Sequence, residues 1–144
     1  MIAVQVQHFS GRARDFLKGM ESLVREDIYV LNDQILNFKY STALLSIHCA
    51  ISYSDALRAG LGCTDVSSDD HRNAAMDLRL RLTDRKYENL KGADRLGKLL
   101  SKKNSIAYAS EATRENEIED IVKHAERFTK WAEETGRRLN IEGW

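Results

Sequence analysis

The chain has 144 residues, contains no proline, and balances 22 lysines and arginines against 22 aspartates and glutamates. With 42% hydrophobic and 31% charged residues, it excludes collagen, proline-rich linkers and low-complexity tails, and it suits one soluble domain that can bury a core without disulfides or metal. Zero net charge also excludes a surface that is basic throughout.

In chain order, residues 1–9 are expected as an N-terminal extension, in which Val4–Phe9 has the length of a short strand without a partner. Ser10 is placed to cap a first helix whose apolar stripe runs through Phe16, Leu17, Met20, Leu23 and Val24. The spacing is less regular from Asp27 to Asn37, and Asn32-Asp33 suggests a turn. A second helix is predicted from about Lys39 to Gly60. It is apolar on several faces (Tyr40, Ala43, Leu44, Ile47, Ala50, Ile51, Tyr53, Leu57), which marks a helix with neighbours on most sides. Gly60 and Gly62 end it.

Cys63–Asp70 reads as a polar loop, with Ser68, Asp69 or Asp70 capping a third helix that continues to about Leu82. A break spans Tyr87–Gly92. A fourth helix follows from about Ala93 to Tyr108, with Leu96, Leu99, Leu100 and Ile106 inward. Thr113 caps a last helix carrying Ile118, Ile121, Val122, Ala125, Phe128 and Ala132 on one stripe, with acids in its first turns where the helix dipole favours them. Gly136 is expected to stop it, leaving Leu139–Trp144 as a C-terminal tail. These elements predict an all-α fold, an antiparallel up-and-down bundle of about five helices forming a single domain over residues 1–144.

Charge is unevenly distributed along the chain. Arg72–Lys103 holds ten basic residues against four acidic ones, whereas Glu111–Glu126 holds six acids against two basic residues. The segments suit two neighbouring helices with complementary solvated faces; the alternative is a basic patch that contacts phosphate. Cys49 and Cys63 form neither a zinc signature nor a C-x-x-C redox motif, and Cys49 reads as a small core residue. No stretch approaches the apolar length of a membrane span, so no membrane partner is expected, and the cytoplasm is the expected compartment.

Among the four histidines, His48 lies between Ile47 and Cys49 and reads as a core histidine, with a binding role as the alternative; His71 opens the third helix, exposed. No histidine pair has metal-ligand spacing, and no P-loop, G-x-S-x-G or G-x-G-x-x-G occurs. No metal or cofactor is therefore expected. The informative segment is Lys103-Asn104-Ser105-Ile106-Ala107-Tyr108. On a helix Lys103 joins Leu96, Leu100 and Ala107 on one face, while Asn104 and Tyr108 stand one turn apart on its flank. A lysine on an apolar stripe reaches solvent, meets an acid or lines a cleft; Asp55, the one acid in the apolar stretch of the second helix, is the candidate partner.

Ile47-His48-Cys49-Ala50-Ile51-Ser52-Tyr53-Ser54-Asp55-Ala56-Leu57 with Gly60-Leu61-Gly62 resembles the second helix of HEPN domains. Lys103–Tyr108, followed by Ala125-Glu126-Arg127-Phe128 and Trp131, resembles their closing helices. The resemblance spans about Arg12 to Glu134 and implies a small helical bundle that forms a homodimer. Active members of the family share an R-x4–6-H motif that cleaves RNA without metal. Here Lys103 stands at the arginine position, Asn104 is kept, and Tyr108 takes the histidine position. A tyrosine near pKa 10 does not shuttle protons at neutral pH, and lysine lacks the bidentate fork of arginine.

The resemblance thus implies the scaffold without the usual activity. The expected function is a non-catalytic module binding RNA, a nucleotide or a protein partner, in a defence or toxin–antitoxin-type setting, with Lys103, Asn104, Tyr108, Asp55 and His48 as the candidate ligand-binding residues. The alternatives are a metal-independent ribonuclease built on Lys103, Asn104 and Tyr108, with His48 or His71 in support, and a purely structural dimerisation module.

Overall fold

A computed structural model describes the backbone at residues 1–29, 33–66, 71, 73–108 and 115–144, and the side chains of these apart from 25–29, 33–39, 104–108, 115 and 116. Five helices and no strand occur among the described residues: α1 (Ile2–Tyr29), α2 (Asp33–Gly60), α3 (Ala74–Asp84), α4 (Lys91–Tyr108) and α5 (Glu115–Arg138). The all-α bundle expected from the apolar spacing is therefore present.

Side-chain pairs set the directions of the long helices. Phe16 faces His48, Ala13 faces Cys49 and Arg12 faces Ser52, so α1 and α2 run antiparallel. Trp131 covers Gly92, and Lys98 and His124 share one hollow, so α4 and α5 also run antiparallel. Cys49 meets Thr129 and Tyr53 meets Glu133, which makes α2 and α5 parallel. The four long helices thus alternate in direction, and short α3 lies in the connection between α2 and α4.

The core is continuous. Helix α2 contributes Ala43, Ile47, Ala50, Ile51, Tyr53, Ala56 and Leu57 from nearly its whole circumference, and α1, α3, α4 and α5 pack around it through Val6, Ala13, Leu78, Leu82, Leu96, Leu99, Ile121 and Phe128. Burying a side chain of this size contributes about 1.5–3 kcal/mol. Helix α2 touches every other helix and is the axis of the bundle.

Several boundaries differ from those expected. Residues 2–9 are neither an extension nor a strand but the first two turns of α1, because Val6, Phe9 and Ala13 are buried at helical spacing. Ser10 caps nothing; it lies inside the helix, where its Oγ donates to the carbonyl of Gln7 at 3.4 Å. Helix α2 starts at Asp33 rather than Lys39, and α3 follows Asn73, which makes no side-chain capping bond. The candidate caps Ser68, Asp69, Asp70 and Thr113 and the residue Asn32 lie outside the described residues.

Two glycines act differently from the turn formers they resemble. Gly92 lies within α4 beneath the Trp131 indole, and Gly136 does not stop α5, which runs on to Arg138 with the Trp144 indole seated on it. At both, a Cβ would collide with a ring. Gly62, by contrast, turns the chain after α2 in the left-handed region at φ 95°. The tail is not loose either, since Ile141 is buried and Trp144 hydrogen-bonds Glu133.

Candidate functional site

The antiparallel contact of α1 and α2 leaves a cleft of about 700 Å³. One face of α1 supplies Gln5, His8, Arg12 and Phe16; one face of α2 supplies His48, Ser52 and Asp55; Val66 and His71 close it from the segment after α2. Residues 8, 12 and 16 and residues 48, 52 and 55 follow the i, i+4 and i, i+4, i+7 spacings that align side chains on a helix. The volume is that of a small-molecule pocket, with apolar walls and a few convergent polar groups.

Arg12 is the organising cation. Its Nε donates to Ser52 Oγ at 3.2 Å, its Nη2 stands 3.7 Å from Asp55 Oδ2, and its guanidinium lies 5.2 Å from the centre of the Phe9 ring. These contacts hold one edge of the guanidinium, while the side chain keeps 41% of its exposure. A guanidinium held in this way is preorganised to bind an anion with its remaining donors.

Asp55 sits behind it and is also the start of a chain of charges. Arg58 Nη1 lies 3.7 Å from Asp55 Oδ1, Arg58 Nε donates to Asp77 at 2.8 Å, and Arg81 Nε donates to the same Asp77 oxygen at 2.9 Å. Arg12, Asp55, Arg58, Asp77 and Arg81 therefore alternate in sign from the cleft to α3, with one positive charge in surplus. Burial pushes the Asp77 carboxyl up, yet the hydrogen bonds from Arg58 and Arg81 hold it below the usual carboxylate range. At Asp55 the balance reverses: burial pushes its carboxyl up to about 7, against the pull of Arg58 and Arg12.

The histidines complete the rim. His48 is exposed rather than a core residue; its ring is 6.1 Å from that of Phe16. Burial of part of the ring, together with the charges of Lys103 and Arg12, pushes its pKa below the ordinary imidazole value. His8 is exposed and touches Phe9 edge-on at 5.5 Å, and His71 is half-buried rather than fully exposed. Among the described residues, no three histidine, cysteine, aspartate or glutamate side chains are grouped as metal ligands.

The structure brings together two of the five candidate residues, Asp55 and His48. Lys103 lies half-buried on α4, outside the cleft lining, though close enough for its charge to act on His48. It does not pair with Asp55, which is flanked by Arg12 and Arg58 instead. Asn104 and Tyr108 belong to α4, and their side chains lie outside the described residues. Arg12, Ser52, Phe9 and His8 were not legible as site residues. Their signal is the i, i+4 pair of His8 and Arg12 on an α1 that begins before Ser10.

The complementary charge of α4 and α5 is local. Lys98 and Lys102 face Glu117, Asp120 and His124 across a hollow of about 170 Å³. Burial, followed by the charges of Lys98 and Arg95, pushes the His124 pKa down. Both cysteines are free and buried; Cys49 donates to the Ala13 carbonyl at 3.3 Å, and burial pushes its thiol up to about 12, which makes it an inert core group. Among the described residues no helix is long and apolar enough to cross a membrane.

No family model, curated protein or solved structure matches this chain.

Proposed function

We propose that this chain is a helical-bundle module that binds a phosphate-bearing ligand of the RNA or nucleotide class in the α1/α2 cleft without cleaving it. One observation carries the proposal: Arg12, hydrogen-bonded to Ser52, sits with three imidazoles around a cleft whose aromatic walls, Phe9 and Phe16, suit a base. The resemblance of residues 47–62 and 103–131 to HEPN domains supports the same ligand class, and the replacement of their arginine and histidine by Lys103 and Tyr108 favours binding over cleavage. The same resemblance carries the proposal of a homodimer, which a monomer in sedimentation at high protein concentration would overturn.

The test is fluorescence anisotropy with a short labelled 2′-O-methyl RNA in chelator. Binding is expected at low salt and should weaken steeply as salt rises, because phosphate contacts release counterions. Arg12→Ala should weaken binding at least about tenfold, the equivalent of one hydrogen-bonded charge contact. Absence of binding at low salt would instead favour a structural dimerisation module. A second reading, a metal-independent ribonuclease, draws on the near-neutral Asp55 carboxyl beside exposed imidazoles. Cleavage of unmodified RNA in the same buffer, lost in Asp55→Asn, would establish it.

A further inference from the structure

The wall of the cleft contains one poorly matched set of charges. Asp55 is only 3% exposed. The guanidinia on either side of it, Arg58 at Oδ1 and Arg12 at Oδ2, both stand at 3.7 Å, beyond hydrogen-bond length. Asp55 Oδ1 has no hydrogen-bond partner. Each arginine is better held elsewhere, Arg58 by Asp77 at 2.8 Å and Arg12 by Ser52 at 3.2 Å. A carboxylate withdrawn from water and left at this distance from its counter-ions gains too little attraction to offset desolvation, so its charged and neutral forms lie close in free energy.

We propose that Asp55 is a proton-linked latch on Arg12. Ionised, it draws the guanidinium back against α2; protonated, it releases Arg12 to an anionic group of the ligand, so the ligand is bound together with a proton. This deepens the reading of the cleft as a phosphate-binding site and rests on it. An anion placed against Arg12 also repels a second negative charge behind it, which favours the neutral carboxyl further. Affinity must then rise as pH falls, with log K changing by at most one per pH unit for one linked proton.

Among the described residues, the charged and titratable groups around Asp55 are Arg12 and His8 from α1, Arg58 and His48 on α2 itself, His71 from the segment before α3, and Asp77 of α3 behind Arg58. Protonation of the histidines favours an anion with the same sign. A test must therefore separate them from Asp55.

The probe is a 2′-O-methyl RNA dinucleotide, whose phosphodiester keeps one charge around neutral pH. Binding is measured by calorimetry in buffers of differing ionisation enthalpy, and the Asp55 carboxyl is followed by carbon NMR. Affinity is expected to fall about fivefold to tenfold from about pH 6 to about pH 8, with proton uptake near neutral pH. The Asp55 midpoint should move up when the dinucleotide is bound, and should still do so in a His8→Gln/His48→Gln/His71→Gln variant. With the three histidines replaced by glutamine, adding Asp55→Asn should make binding at about pH 8 nearly as tight as at about pH 6.

An unchanged Asp55 midpoint on binding overturns the latch and leaves the cleft intact. If the dinucleotide gives no binding at any pH, the cleft reading fails. The pairing is then judged in the free protein, where Arg12→Ala must raise the Asp55 midpoint; an unmoved midpoint overturns it too.

Discussion

Two carboxylates meet arginines two residues apart on α1, and their environments differ in kind. Glu133 of α5 accepts two bonds from one edge of the Arg14 guanidinium, Nε at 2.8 Å and Nη2 at 3.1 Å, as well as the Tyr53 hydroxyl at 2.7 Å and the Trp144 indole N–H at 3.0 Å. Burial alone would push the Glu133 carboxyl up, but these bonds hold it below its usual range, while burial and the bond to Glu133 push the Tyr53 phenol well up. Asp55, more deeply buried, has two guanidinia nearby and a hydrogen bond from neither. The first carboxylate joins α1, α2, α5 and the tail; the second is left under-satisfied beside a cleft. A fully bonded ion contributes stability, whereas an under-bonded one at a surface opening keeps a capacity to respond to a ligand.

The contrast can be broken most forcefully at Glu133. Glu133→Ala leaves the Arg14 guanidinium, the Tyr53 hydroxyl and the Trp144 N–H without their acceptor. Allowing for the half-exposed arginine, it should destabilise the protein by about 3 kcal/mol in urea titration. Gly136→Ala attacks the same cluster sterically. Its Cβ would displace the Trp144 ring, and a loss of about 2 kcal/mol is expected, with the Trp144 fluorescence altered in the folded state.

Asp55→Asn should do the reverse. A carboxyl with a folded pKa of about 7 keeps its proton where the unfolded chain has released it. Its ionisation therefore lowers stability progressively from about pH 4 to about pH 7, and the full penalty stands above that. The variant should be more stable than the wild type at about pH 8, by a margin that shrinks as pH falls and vanishes by about pH 4. Glu133 acts in the opposite sense and another window. Its contribution is present above its unfolded value and is lost as pH falls through its depressed folded one. The smallest effect should come from Arg12→Ala at about pH 5, within about 0.5 kcal/mol in urea titration, because Asp55 is then protonated and the side chain is 41% exposed. A weakened ligand with unchanged stability there would complete the contrast between the two carboxylates.

The bundle was legible because apolar spacing records burial directly. The stripes of α4 and α5 and the all-round apolarity of α2 each correspond to buried residues such as Leu96, Ile121 and Tyr53. Boundaries were less legible. Ser10 has the chemistry of a cap, and only tertiary burial of Val6 and Phe9 places it mid-helix. That misplacement hid the cleft, because His8 and Arg12 do not share a helical face if the helix begins between them. Asp55 stood out as the one acid in the apolar stretch of α2, but its neighbour could not be assigned by composition. Arg12 lies forty-three positions away in sequence, and a contact of that range leaves no local periodicity. Gly92 and Gly136 are illegible for a related reason: a glycine that admits an indole and one that turns the chain look alike until the partner ring is placed.

The last residues add a property of a different kind. Gly143, in the left-handed region at φ 87°, lies directly against the backbone of Ala3. The described path therefore closes on itself: the first turn of α1 and the tail are neighbours, and the bundle is a ring with a non-covalent seam. A side chain at position 143 would wedge this seam apart, so the glycine there sets how closely the two segments approach.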